Sequence, residues 1–254
     1  MTVHPFPQTP RGDDSASLVQ QVLQHVRDHI RENELKVGDS LPGEGVFAEK
    51  LGVSRAVMRE AFGALAALNV IDVGNGRRAR IAAIDGSVMA NSLGHAVSTD
   101  QISVADVWDV RRTVEARTAA LAAAYRTEAE AARIVQLAEA LENDIDDRDT
   151  MTAHDIAFHE AIASASHNPL FLQIVRSFAP LMRIAVPAAW STRLAQADRH
   201  TIIERHHAIA RAIRDGDPAA AEAAMNAHFD VSIGDVLKGL SPTDSIPAGA
   251  GNGL

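Results

Sequence analysis

Apolar residues near the start of the chain recur at helical spacing. A first helix, which Ser15 or Ser17 can cap, is predicted by apolar positions about one turn apart: Leu18, Val22, Val26 and Ile30. The glycines and proline that follow it, between residues 38 and 45, break the pattern. The chain therefore begins its ordered part with one amphipathic helix that ends before this break.

Two short apolar patterns follow the break. Residues 47–51 predict a short helix, and Gly52 after it suits a turn that needs positive φ. Ser54 can cap the next helix, whose apolar face is formed by Val57, Ala61, Leu65 and Leu68. Two short helices joined by such a turn predict a helix-turn-helix.

A hairpin pattern comes next. Val70, Ile71 and Val73 predict one strand, Asn75-Gly76 is a typical tight turn, and residues 80–84 predict the return strand. A helix-turn-helix followed by a hairpin with arginines is a winged helix.

From residue 86 onward the chain is rich in alanine and almost wholly helical. The predicted helices are 102–124, 128–146, 150–166, 169–186, 193–214 and 218–238. This region contains no glycine-rich phosphate loop, which disfavours Rossmann and P-loop chemistry. The fold class is mainly α. The predicted divisions are a disordered arm (1–14), a winged helix (15–85), a linker (86–101), an all-helical domain (102–239) and a disordered tail (240–254).

Composition excludes several classes of protein. The 254 residues include no cysteine, which rules out disulfides, cysteine-based zinc sites and thiol nucleophiles. No apolar run reaches the roughly 18 residues that span a bilayer, and the N-terminus lacks the apolar core of a signal peptide. We expect a cytoplasmic protein without a membrane partner.

The net charge of −9 argues at first against a nucleic-acid partner. Divided by region, however, residues 1–85 carry −1 and residues 86–254 carry −8. Residues 54–81 hold five arginines against two carboxylates, a local charge of +3. The predicted winged helix is thus the cationic part of an acidic chain.

The segment from Glu34 to Ile71 resembles the winged-helix domain of the GntR family of bacterial transcription regulators. The matching pieces are Gly38-Asp39, Leu41-Pro42, Leu51-Gly52-Val53-Ser54-Arg55 and Val57-Met58-Arg59-Glu60-Ala61, and the resemblance covers residues 17–84. It implies double-stranded operator DNA as a partner. It further implies DNA contacts by Ser54, Arg55 and Arg59 at the start of the recognition helix and by the wing arginines Arg77, Arg78 and Arg80.

This chain departs from the family pattern at two places. Gly43-Glu44-Gly45 stands where the family usually has Ser-Glu-Arg, so the DNA contact made by that arginine is absent. Arg78 stands where the wing usually has its second glycine. The operator sequence and the wing geometry therefore do not follow from the resemblance.

The helical half carries a set of metal-ligand residue types. Asp155 and His159 are spaced i,i+4 and share a helix face, while His206 and His228 lie on two later helices. Such donors can converge in a bundle around zinc, nickel or manganese, whereas calcium prefers oxygen ligands. Spacing alone is a weak signal because the chain has 11 histidines, including His154, His167, His200 and His207.

Residues 102–238 resemble the helical effector domain of the FadR subfamily, called the FCD domain. The matching stretches lie around residues 107–123, 153–171 and 205–225 and at the terminal Ala-His-Phe, residues 227–229. In metal-binding members, an Asp, a His four residues later and two downstream His form the site, which maps onto Asp155, His159, His206 and His228. The family places a cavity-facing arginine at Arg111, and Arg183 is a second candidate for binding an effector.

These features predict a DNA-binding regulator, not an enzyme. We expect a homodimeric repressor whose operator affinity is changed by a small organic or sugar acid held by the metal and Arg111. Zinc is the first choice of metal. Two alternatives remain open: a direct sensor of the metal itself, and a metal-dependent enzyme, against which no separate general base is evident.

Overall fold

The computed structural model describes residues 12–74, 76–192 and 196–239. The chain divides after Val88 into two compact units. Most of the predicted arm, the whole predicted tail and Asn75 of the predicted turn lie outside the described residues.

The N-terminal unit is a small three-helix domain with a two-stranded sheet. Its elements are α1 (Gly12–Glu32), α2 (Glu44–Leu51), α3 (Arg55–Ala67), β1 (Ile71–Asp72) and β2 (Arg80–Ile81). Apolar side chains from every helix meet in one core, which includes Val22, Val26, Phe47, Met58 and Leu65. Gly52 ends α2 with φ +67°, as the turn of the helix-turn-helix requires.

The wing is shorter than its apolar pattern predicts. The two strands pair antiparallel over two residues each, with Ile71 opposite Ile81 and Asp72 opposite Arg80. The pattern predicts that Val73 and Ile84 extend them, but these side chains are 46% and 61% exposed. Because they have no core to pack against, their β-propensity does not lengthen the ladder.

The C-terminal unit consists of helices in the part of the chain that is described. They are α4 (Ser87–Ser98), α5 (Val104–Tyr125), α6 (Glu128–Asn143), α7 (Arg148–Ala165), α8 (Pro169–Thr192), α9 (Gln196–Arg214) and α10 (Pro218–Gly239). Side-chain caps explain several starts: Ser103 and Thr127 each form a capping box with the carboxylate three residues later, and Asp147 caps α7.

Two segments are more helical than the sequence predicts. The expected linker contains α4, which packs Val97 and Leu93 against the core of the helical unit. Helix α8 passes through Pro187 to Thr192, beyond its expected end at 186. Proline removes one backbone hydrogen bond there, but burial of Ala189 and Trp190 holds the last turns against the core.

Helix α8 is also the one described helix long and apolar enough to cross a bilayer by length and composition. In this unit 44% of its most apolar window is buried against the other helices. The core helices of soluble proteins pass the same test, so this is weak support for a membrane span.

The packing order of the helices brings the candidate site together. Helix α10 packs against α5, α8 and α9, while α7 packs against α5, α6 and α8. The helices that carry Arg111, Asp155, His159, His206 and His228 therefore surround one region of the core.

Candidate metal centre and DNA-binding face

Three histidines from three helices converge inside the helical unit. One ring nitrogen each of His159, His206 and His228 lie within 4.8 Å of one another, and all three side chains are buried. Asp155, one turn before His159 on α7, adds a carboxylate. Its Oδ1 lies 3.1 Å from His206 Nε2 and 4.0 Å from His159 Nε2.

The hydrogen bonds of His206 show which of its nitrogens carries a lone pair. Nδ1 lies 2.9 Å from the carbonyl oxygen of Ile202, and since a carbonyl only accepts, Nδ1 is the donor. In the neutral ring Nε2 then points a lone pair at the carboxylate of Asp155. Two acceptors 3.1 Å apart repel unless a proton or a metal cation lies between or beside them.

The ring of His159 is oriented by a different partner. Its Nδ1 contacts a carboxylate oxygen of Glu115 on α5, and both side chains are buried. Burial raises the pKa of Glu115, but Arg111 and His159 more than offset this and hold that pKa below its ordinary value. With the ring proton on Nδ1, His159 can donate to Glu115, and its Nε2 lone pair then lies on the side of Asp155.

His228 completes the donor set. Burial, together with the nearby imidazoles of His206 and His159, holds the pKa of His228 well below its ordinary value, so its ring is neutral. Its Nδ1 is buried and has no hydrogen-bond partner among the described residues.

Asp155 supplies the negative charge. Burial raises the pKa of Asp155, but the close contact with His206 and the surrounding imidazoles lower it overall. Three imidazoles within reach of one another, with the carboxylate of Asp155 beside two of them, form a donor set that fits a first-row divalent metal.

A small cavity of about 30 Å³ adjoins this cluster. Besides the four polar residues, its lining includes Trp108, Arg111, Val186 and Ala189. Arg111 is buried, and its Nε donates to Glu115 Oε1 at 2.7 Å. The guanidinium lies 4.9 Å from the Trp108 ring centre and 5.2 Å from that of Phe229, and it also contacts the Met182 sulfur. Arg111 thus faces the cavity, as expected, but already has a carboxylate partner.

The other candidate residues of the helical half lie elsewhere. Arg183 is exposed, in a separate surface pocket with Asp149 and Ile156, and does not line the cavity beside the histidines. His154, His167 and His207 pair with Asp144, Glu130 and Glu142, respectively. Glu115 was missed by the sequence reasoning. Its signal is nevertheless present in the sequence, because Arg111 and Glu115 form an i,i+4 pair of opposite charge in an alanine-rich helix.

In the N-terminal unit, Ser54 begins the recognition helix. Its hydroxyl accepts a hydrogen bond from the backbone N–H of Val57 at 3.2 Å, so it is the N-cap of α3. Arg55 and Arg59 follow on the exposed side of this helix. Neither has an ion pair or hydrogen bond within the described ranges, so both guanidinium groups are open to a ligand.

The three wing arginines differ in their partners. Arg77 pairs with Asp72 at 2.7 Å, and Arg80 donates to the Gly38 carbonyl oxygen at 2.9 Å. Arg78 is exposed and makes no such contact with the part of the chain that is described. All three, with Ser40, line one open pocket. Asp72, the partner of Arg77, was another residue that the sequence reasoning did not single out.

A winged helix joined to a helical domain with a buried metal-type donor set defines a class, the two-domain bacterial transcription regulators. The profile described as "Bacterial regulatory proteins, gntR family" matches residues 18–81, and that of the FCD domain matches residues 106–231. The chain is 31% identical to the HTH-type transcriptional regulator LutR of Bacillus subtilis over 212 residues, 83% of this chain and 96% of the relative. The protein belongs to the GntR family, and its domain pair fits the FadR-like subfamily.

Two further comparisons agree with this assignment. The Glc operon transcriptional activator of Escherichia coli K12 is 30% identical over 222 residues, 85% of this chain and 87% of the relative. A solved structure described as Streptococcus agalactiae GntR has a TM-score of 0.58 at 24% identity and covers 84% of this chain and 97% of that one. The structural likeness supports the fold, and the sequence likeness identifies a DNA-binding transcription regulator.

Proposed function

We propose that this GntR-family regulator holds a divalent metal, zinc in the first place, at Asp155, His159, His206 and His228. A small organic or sugar acid bound beside the metal then changes the affinity of the protein for its operator. The observation that carries the proposal is the convergence of the three histidines, with Asp155 beside two of them, next to a cavity that Arg111 also lines. When bound, the metal supplies a Lewis-acid site for a carboxylate or hydroxyl oxygen.

The residues of the chain divide this work. The three imidazoles and Asp155 fix the position of the cation. Arg111 presents its guanidinium to the same cavity, where its remaining N–H groups can bind an acid oxygen, while Nε stays on Glu115. Trp108 and Phe229 flank the guanidinium and exclude water from it, which strengthens its attraction for an anion.

In the N-terminal half we propose that residues 15–85 bind the operator through Ser54, Arg55, Arg59 and the wing arginines. The protein acts in the cytoplasm as a homodimer, because two-fold operators require two such domains. Residues 86–101 connect each DNA-binding domain to the effector domain 102–239. Effector binding shifts the population of domain arrangements and relieves repression. One relative is named as a Glc operon transcriptional activator. The test therefore also asks whether the effector weakens or strengthens operator binding.

Direct sensing of the metal is the second candidate. One observation favours it: a cavity of about 30 Å³ has room for only one or two water-sized groups. An organic acid would need more room than this volume offers. In this second scheme, the metal alone changes operator affinity.

The test uses the full-length protein in metal-free and zinc-loaded forms. Each form is titrated against a duplex selected from random sequence, with and without lactate, malate and gluconate as probe acids. We expect zinc to raise the melting temperature, with about 2.7 kcal/mol of stabilisation at a hundredfold excess over its Kd. At least one acid should change both the melting temperature and the operator affinity of the zinc form only. A change of operator affinity with zinc and none with any acid would establish the metal sensor instead.

A further inference from the structure

We infer that Glu115 is a positioning residue for the metal centre, which fixes the proton of His159 on Nδ1 and thereby directs the Nε2 lone pair of His159 at the metal. The inference rests on the proposed metal site and adds to it a residue outside the four ligands. It also assigns a reason for the buried charge on α5.

The first step is the contact itself. Glu115 lies on α5 and His159 on α7, two helices that pack against each other, and Glu115 Oε2 contacts His159 Nδ1. Both side chains are almost wholly excluded from solvent. A buried carboxylate is costly, so its retention in an alanine-rich helix calls for strong partners.

The second step is that the two carboxylate oxygens of Glu115 have different partners. Oε1 accepts from Arg111 Nε at 2.7 Å, and Oε2 faces His159. Arg111 is the cation that lies against this carboxylate in the core. A carboxylate that accepts from a guanidinium through one oxygen can accept through the other as well, so we place the ring proton of His159 on the nitrogen that faces Glu115.

The third step is the consequence for the metal. A histidine that donates its far N–H to a carboxylate is oriented, held in one tautomer and made a stronger ligand. His206 achieves the same tautomer through the Ile202 carbonyl, a neutral acceptor. Of these two imidazoles, His159 therefore receives the stronger electrostatic support, and it receives it from Glu115.

The test compares zinc affinity, measured by competition with a chelating dye, in the wild type and in Glu115→Gln. The amide retains the shape and an acceptor oxygen but lacks the charge. We expect its zinc affinity to fall about 10–100-fold. Thr118→Val is the matched control, because Thr118 is equally buried one turn further along α5 and bonds only a backbone carbonyl. Its affinity should remain that of the wild type.

A double-mutant cycle with His159→Asn separates positioning from general damage to the core. If Glu115 acts through His159, adding Glu115→Gln to His159→Asn lowers zinc affinity no further. An equal loss in both backgrounds would overturn the inference. If the wild type itself bound no zinc, the metal site would fail together with it, whereas tight zinc binding that is unchanged in Glu115→Gln would overturn the role of Glu115 alone.

Because Glu115→Gln leaves Arg111 without its charged partner, the variant has a route to misfolding. A measurement on the wild type avoids this problem. In long-range ¹⁵N spectra of the zinc-loaded protein, with His159 assigned by its absence in His159→Asn, Nδ1 should carry the proton and Nε2 should show the shift of a metal-bound nitrogen. Metal bound through Nδ1 would refute the proposal whatever the variant does.

Discussion

Neighbouring residues on one helix can have unrelated roles, and His206 and His207 illustrate this. Successive side chains of an α-helix point about 100° apart, so only one member of the pair can face a given site. His206 is buried in the cluster and contacts Asp155, while His207 pairs with Glu142 at the surface of the unit. The same spacing rule places Asp155 and His159 together, since four residues nearly complete a turn.

This difference gives a matched pair of variants. His206→Gln should reduce bound zinc from about one ion per chain to almost none, because it removes a ligand nitrogen from a four-donor site. His207→Gln has the same chemical change one residue away and should retain the ion. Elemental analysis of both proteins after dialysis against a weak chelator measures the result. Full zinc retention in His206→Gln would show that the ion is held elsewhere.

At the scale of the element, helix α3 combines a capped N-terminus with an exposed, positively charged face. Ser54 caps its N-terminus, and Arg55 and Arg59 follow on the solvent side. The free N–H groups of the first turn and the helix dipole favour a phosphate at the same place. The cap and the proposed DNA contact therefore share one hydroxyl.

Two substitutions of Ser54 separate these roles. Ser54→Ala removes the cap and should lower the free energy of unfolding of this unit by about 1 kcal/mol, measured by denaturant titration. Ser54→Asp keeps a capping oxygen and therefore the stability, but it places a negative charge next to the proposed phosphate. We expect Ser54→Asp to weaken DNA binding more than Ser54→Ala does. Normal operator affinity in Ser54→Asp would remove Ser54 from the DNA-binding face.

A helix or strand boundary could be predicted when its signal is local in the sequence. The starts at Pro169 and Pro218 were predicted as observed, and that of α5 within two residues, since proline and capping residues are local signals. The wing strands and the end of α8 were misjudged, because burial decides them and burial is a property of the whole unit. Arg183 was a candidate for the cavity for the same reason: sequence placed it on α8 but did not show which side of that helix is covered.

The proposed metal-binding residues and Glu115 also differ in how far the sequence alone could predict them. The three histidines of the proposed site could be selected from the 11 in the chain only by resemblance, because they come from three helices far apart in sequence. The role of Glu115 required the packing of α5 on α7, which no spacing along the chain reveals. Arg111 lines the cavity, yet its ion pair with Glu115 appears only in three dimensions.

At the scale of the whole molecule, the net charge of −9 is divided unequally between two units with different tasks. The local charge of +3 in residues 54–81 also overstates how many arginines are open to a ligand. Arg77 is paired with Asp72, and Arg80 is bonded to the Gly38 carbonyl. Arg55, Arg59 and Arg78 are the members of this set without a partner in the described structure. A strongly acidic molecule with so few open cations should bind DNA weakly without specific contacts.

The salt dependence of operator binding, measured in one pair of variants, tests whether the recognition helix or the net charge controls DNA binding. Arg59→Ala should weaken operator binding by about 1–3 kcal/mol if Arg59 reads a guanine, with a changed base preference. If Arg59 instead binds a phosphate, its removal should reduce the slope of log K against log salt by about 0.9. Arg117→Ala is the control, since Arg117 is exposed on α5 in the acidic unit and its removal changes the net charge equally. Anisotropy titrations at several salt concentrations should leave Arg117→Ala like the wild type. Equal effects of the two variants would mean that net charge, and not the recognition helix, controls binding.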